Sequence, residues 1–441
     1  MKSTKRIFFI VCILLTTTIY YNYSKLNIIA GYSAKNMSSA VFLAGRNADF
    51  TDETDHNFFP INLAKDVINN SEKQVTTTAI GLLKRKAVYR EGIGSVLTID
   101  GVSTEKPVLV PARSLPNNTI PYPYGNATPK DSIFSNIDYT KLNEAISFLF
   151  NPIHKTRAAL VVYKDHIIAE RYADDFNKDS KLLGWSMTKS ITSTLFGILQ
   201  HQGKINICDT APIDAWKNDK RQHITIHNLL QMNSGLEWTE DYNSISDVTK
   251  MLFLEPDMSR SQINKPLIGK PNQTWNYSSG TTNLLSGILR KILGSHQTYL
   301  NYWYEALIDK TGMNSMVIET DLSGNYVGSS YAWATPRDWS KLGLLYLHNG
   351  TWNNENLFDK EWVNYATTPT PTSNGRYGAQ IWLNTKGHYP DIPKNTYSFN
   401  GYQGQNVFIL PDQEMVVVRM GLTKNADMNL FLKNIIASIK N

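Results

Sequence analysis

Three kinds of hydrophobic pattern follow one another along the 441 residues. The first is an unbroken apolar run, "IFFIVCILLTTTIYY", from Ile7 to Tyr21. Residues 22 to about 35 then lose any clear period and read as a spacer. Within residues 36–130, "SAVFLAGR" and "GSVLTIDG" read as short strands and "INLAKDVINN" as a helix. The stretch "STEKPVLVPARSLPNNTIPYPYGNATPKDS" is dense in Pro and Asn, which break regular structure and mark a linker ending near residue 130.

Beyond that boundary the periods become regular. "DYTKLNEAISFLF", Asp138 to Phe150, carries apolar residues at helical spacing. "RAALVVYKDHIIAERYA" holds two β-rich runs around Lys164-Asp165 and reads as a hairpin. "SMTKSITSTLFGILQHQGKI" predicts a helix from near Ser186 to a stop near Gly203. A second hairpin, "QNVFILPDQEMVVVRMG", turns at Pro411-Asp412, and an amphipathic helix runs from about Asp427 to Lys440. Strands at both ends of a helix-rich middle predict an α+β domain. The first and last hairpins are expected to share one antiparallel sheet. No internal repeat is visible. The predicted organisation is thus 1–35 leader and spacer, 36–130 extension and linker, and 131–441 main domain.

Charge and cysteine content narrow the setting. Lys2, Lys5 and Arg6 precede the apolar run, the arrangement of an export signal. Cleavage after Ala30 would put Ile28 at position −3, and cleavage after Ala34 would put Tyr32 there. Both are bulky, so a cleaved leader and a retained membrane anchor both stay open. Either way the expected location is periplasmic or otherwise outside the cytoplasm. The net charge of +6 (44 basic against 38 acidic) forms no basic stripe, which argues against nucleic-acid binding. Cys12 and Cys208 are the two cysteines, and Cys12 lies in the leader, so neither an internal disulfide nor a cysteine zinc site is expected. No His-Glu-x-x-His occurs, and no metal or cofactor is predicted. Oligomeric state is not legible.

Three segments could carry chemistry. In "GWSMTKS", Ser186 and Lys189 fall three apart at a predicted helix start, so the amine can reach the hydroxyl. A serine needs a base before it attacks, and a lysine serves as one only where its charge is disfavoured. Leu182, Leu183, Trp185 and Met187 supply an apolar flank. Tyr277 stands at the entry to the helix "NYSSGTTNLLSGILRKILG", where a phenol can shuttle a proton. In "NGYQGQNVFILP", Gly401 and Gly404 bracket Tyr402 and Gln403, and an edge strand beginning at Gln405 would offer an N–H to an oxyanion. Each has a plainer reading as surface helix, aromatic staple or β-turn.

Taken in order, the three segments resemble the Ser-x-x-Lys, Tyr and Lys-Thr-Gly elements of serine β-lactamases and penicillin-binding proteins. The resemblance is greatest to the class C branch with its esterases and nylon-oligomer (6-aminohexanoate-dimer) hydrolases. It covers about 135 to 441. It implies an antiparallel sheet flanked by helices, an all-helical subdomain, and a serine hydrolase acting through an acyl-enzyme. By the same resemblance, Ser186 is the nucleophile, Lys189 its base and Tyr277 the proton relay. The N–H groups of Ser186 and Gln405 form the oxyanion hole, and Ser279, Tyr402, Gln403 and Gly404 meet the substrate. Two departures bear on specificity. Ser279 stands where the family commonly has Asn, and Tyr402-Gln403-Gly404 replaces Lys-Thr-Gly. Loss of that lysine favours a small ester or amide over a penicillin. A β-lactamase or DD-peptidase, and a non-catalytic sensor with the same fold, are the alternatives.

Overall fold

The computed structural model describes residues 2–99, 101–102, 108–115, 119–130 and 132–440, without the side chains of residues 2–4, 14–15 and 18–21. The predicted sheet forms. Its strand order is Trp382–Leu383, Tyr397–Gly401, Gln405–Leu410, Met415–Gly421, Thr156–Tyr163 and His166–Tyr172, each pair antiparallel. Met415 pairs with Tyr163 and Met420 with Ala158, so the two hairpins meet as expected. Lys164 and Asp165 adopt positive φ at the first hairpin turn. Thr156–Tyr163 and Met415–Gly421 are buried along their whole length, because helices cover both faces. Helix Pro336–Leu347 packs on one face, and helices Tyr139–Leu149 and Met428–Ala437 close the other. The helix Thr188–His201 buries every residue from Thr188 to Leu199, so it runs through the core between the sheet and the helical region.

The first hundred residues depart from their pattern. A single α-helix runs from Lys2 to Ser38 and continues as a π-turn over Ser39–Leu43. The stretch expected to be a spacer is therefore helical, and Leu26, Ile29, Ala30, Tyr32 and Ala34 are buried. "SAVFLAGR" caps this helix instead of forming a strand. "INLAKDVINN" is a 3-10 turn, Ile61–Leu63, followed by strand Ala64–Asn69. Its neighbour Gln74–Ala79 is Thr-rich and β-branched, and the pairing it offers overrides the weak helical period. Strands Leu83–Arg90 and Gly94–Leu97 complete a four-stranded antiparallel sheet on the helix. The linker is strapped onto the main body: Arg113 pairs with Asp309 at 2.7 Å, and Tyr122 shares a hydrogen bond with Ser340.

The far end of the long helix is different. Ile7, Phe8, Phe9 and Ile10 are exposed. Among the described residues no helix is long and apolar enough to cross a membrane.

One buried ion pair locks the long helix to the rest. Lys35 Nζ lies 2.5 Å from Glu319, which also accepts from Ser39 Oγ, Ser95 N and Trp333 Nε1. Burial lowers the Lys35 pKa, and the Glu319 charge opposes that shift. Removing one member of such a pair strands the other charge away from water. Lys35→Ala is expected to destabilise the protein by about 3–5 kcal/mol at neutral pH, read as a lower midpoint in urea unfolding.

Candidate active site

The Ser186 segment is held by its own backbone. Trp185 has φ of +48°, a conformation that a bulky residue adopts only at a cost of about 1–3 kcal/mol. The turn Trp185–Met187 then leads straight into helix Thr188–His201. Thr188 fixes the turn: its hydroxyl donates to Trp185 O at 2.7 Å and accepts from Ala332 N at 3.1 Å. Gly184 must be glycine, because a Cβ there would lie 2.1 Å from the Trp339 ring. Four aromatic rings gather around the Trp185 indole. Tyr32 of the long helix stacks on Trp185 at 6.2 Å, and Tyr242, Tyr331 and Tyr402 surround it. The segment read as a spacer thus supplies part of the wall behind Ser186.

Lys189 is 1% exposed, and its three ammonium protons have three acceptors. Nζ donates to Ser186 Oγ at 3.0 Å, Ser279 Oγ at 2.9 Å and Ser329 O at 3.0 Å. Burial pulls its pKa down to about 8, while the Glu240 carboxylate works in the opposite direction. Nζ also lies 4.9 Å from the centre of the Tyr277 ring. Tyr277 packs against Trp382 and Tyr377 at 5.3 and 5.5 Å. Burial, reinforced by Glu240, pushes its phenol above the ordinary tyrosine range, so it stays protonated. Ser186, Lys189 and Tyr277 therefore converge as the sequence anticipates.

The other predicted residues divide. Ser279 is fully buried beneath Lys189 and does not line the cleft. Its hydroxyl bridges Lys189 Nζ and Glu240, and its N–H donates to Glu240 Oε2 at 2.9 Å. Glu240, which motif reading missed, is the hub of this network and also accepts from Trp238 Nε1 at 2.6 Å. Its one signal in the sequence is an acidic residue inside the aromatic loop "EWTEDY".

Gln405, whose N–H is the expected oxyanion donor, lines a small cavity beside Trp185 and not the cleft. Strand Gln405–Leu410 is internal, with a paired neighbour on each side, so it is not the expected edge. Its first residue pairs with Gly401, and the Gln405 side-chain amide donates to Tyr402 O and Gly421 O and accepts from Gly421 N. Gln403 and Gln405 face a small cavity on the far side of Trp185. The strand that borders the cleft is Tyr397–Gly401. Gly401 lies so close to the turn that carries Ser186 that a Cβ would sit 2.1 Å from Gly184 O. Tyr402, the next residue, lines the cleft, as does Gly404, and the Tyr402 ring stacks on Tyr242 at 4.9 Å.

The cleft encloses about 760 Å³. Ser186, Glu240, Tyr242, Tyr277 and Tyr402 form the reactive end, and Arg376 and Lys424 stand on the other walls. Among the described residues, one group of three side chains could ligate a metal, Asp52, His56 and Asp66, and it belongs to the N-terminal module rather than the cleft.

The fold recurs in known proteins. The family model described as Beta-lactamase matches residues 155–428. The 6-aminohexanoate-dimer hydrolase of Paenarthrobacter ureafaciens is 22% identical over 313 residues, covering 62% of this chain and 74% of that protein. A Bacillus anthracis protein provisionally named a 6-aminohexanoate-dimer hydrolase superposes with a TM-score of 0.58 at 19% identity, covering 74% of this chain and 90% of that one. A penicillin-binding protein homologue from Caulobacter crescentus gives 0.53 at 14% identity, covering 71% and 100%. With the matched segment spanning more than half of its length, the chain belongs to the beta-lactamase family and is a serine hydrolase.

Proposed function

We propose that the chain hydrolyses a small ester or amide outside the cytoplasm through an acyl-enzyme on Ser186. The observation that carries this reading is the Lys189 amine, buried and held 3.0 Å from Ser186 Oγ. With its pKa near 8, a useful fraction of the amine is neutral at physiological pH and can accept the serine proton. Ser186 Oγ bonds to the carbonyl carbon while its proton passes to Lys189. The oxyanion is met by the N–H groups of Ser186 and Tyr402, the latter replacing Gln405. Tyr277, raised in pKa and therefore protonated, suits a relay that delivers the proton to the departing alcohol or amine. The bond to that group breaks as the acyl-enzyme forms, and water then releases the acid by the reverse proton path.

Substrate scale follows from the cleft. Its Ser186 end is aromatic, and the bordering strand ends in Asn400-Gly401 in place of a lysine, while the cations Arg376 and Lys424 stand on the other walls. An exposed apolar helix end behind Lys5 and Arg6 supports a place at or beyond a membrane.

Fluorophosphonate should label the wild type and not Ser186→Ala, and intact mass checks the adduct. An unlabelled wild type removes the hydrolase mechanism, and labelling of Ser186→Ala moves the nucleophile. Nitrophenyl esters and short amides should turn over, while fluorescent penicillin should leave the protein unmarked. Because the base is the neutral amine, acylation should rise about tenfold per pH unit below 8 and level off above it. Stopped-flow release of nitrophenol measures this. Glu240 favours the charged lysine, so Glu240→Gln should move the midpoint to lower pH.

A further inference from the structure

Strand Met415–Gly421 buries a cation that the acylation chemistry above leaves unused. Arg419 is 1% exposed. Its Nε donates to Thr156 Oγ1 at 3.2 Å. One terminal nitrogen donates to Gly404 O at 2.7 Å, Thr423 O at 2.8 Å and Gln403 O at 3.3 Å, and the other to His154 O at 2.5 Å. Every acceptor is a neutral carbonyl or hydroxyl. Among the described residues no carboxylate pairs with this guanidinium, and burial alone accounts for its pKa, pulled down to about 10. The group is thus still charged at neutral pH. An uncompensated buried ion is expensive, so the packing that keeps it must be built around it. Two glycines do that. A Cβ on Gly404 would lie 2.4 Å from Nη1, and one on Gly421 would lie 2.6 Å from Cζ.

The location gives the charge a use. Gln403 and Gly404 belong to the turn that begins at Tyr402, and Thr423 belongs to another wall of the same cleft. We propose that Arg419 is a positioning residue that ties this turn to its neighbours, aims the Tyr402 N–H, and stabilises the oxyanion from behind with its unpaired charge. This rests on the acyl-enzyme reading above. A lysine at 419 would keep the charge but lose the fan of donors, whereas glutamine would lose the charge.

The test compares wild type, Arg419→Lys and Arg419→Gln using a nitrophenyl ester and a boronic acid. The boronic acid bonds to Ser186 Oγ and becomes a tetrahedral anion, so its affinity reports oxyanion stabilisation, which a purely structural role would not change selectively. In Arg419→Gln, kcat and boronate affinity should fall together by about 10–100-fold while KM stays within about threefold. Arg419→Lys should fall between the two. An Arg419→Gln protein that melts like wild type and keeps both quantities within about twofold overturns the proposal. If that variant does not fold, wild-type kinetics and boronate affinity in Arg419→Lys overturn it instead. Absence of fluorophosphonate label on the wild type strikes the acyl-enzyme reading. A labelled wild type with unaltered variants strikes the role of Arg419 alone.

Discussion

The site turns on the problem of keeping an amine dry and still satisfied. A buried ammonium without acceptors costs several kcal/mol, and one beside a bare carboxylate keeps its proton too firmly to act as a base. Lys189 avoids both. It gives its protons to two hydroxyls and one carbonyl, and the nearest carboxylate acts on it across the Ser279 hydroxyl. Much of the surrounding structure serves that arrangement. Helix Thr188–His201 must be buried on all sides to exclude water, and the Asn283 side chain holds the Ser329 N–H. Ser279 must be small enough to fit between a cation and an anion.

A second constraint is geometric. The backbone at Trp185 is strained, and strain persists only where the surroundings over-determine it. Here the surroundings are rings: Tyr32, Tyr242, Tyr331 and Tyr402 wedge the indole from separate elements. One comes from the long N-terminal helix, one from the loop that carries Glu240, and one from the turn beside the cleft. The N-terminal module is therefore part of the frame that holds the Ser186 turn.

Much of the main domain was legible because its signals are local. The two hairpins announce themselves by β-branched runs and turn residues, and the helix after Ser186 by its stop at Gly203. The Ser-x-x-Lys spacing does not single out Ser186, because Ser103 and Lys106 repeat it in the linker. Its apolar flank and the downstream order of Tyr277 and Gly401 do. What stayed illegible depends on contacts distant in sequence. Whether Gln405 or Tyr402 meets the cleft depends on which strand borders it, and strand order is a property of the assembled sheet. Ser279 reads as a substrate contact until Glu240, 39 residues earlier, is seen on its other side. Residues 26–35 read as a spacer because their apolar positions are diluted by Ser33 and Lys35, polar groups whose partners arrive from elsewhere in the chain.

The long helix also acts as a ruler. From Leu26 onward it is fixed in the core, while Lys2 to Lys25 continue the same helix without a break. At 1.5 Å per residue that portion spans roughly 35 Å. An object gripping Ile7 to Ile10 would hold the cleft at a set distance and tilt, because no hinge separates the grip from the wall behind Ser186.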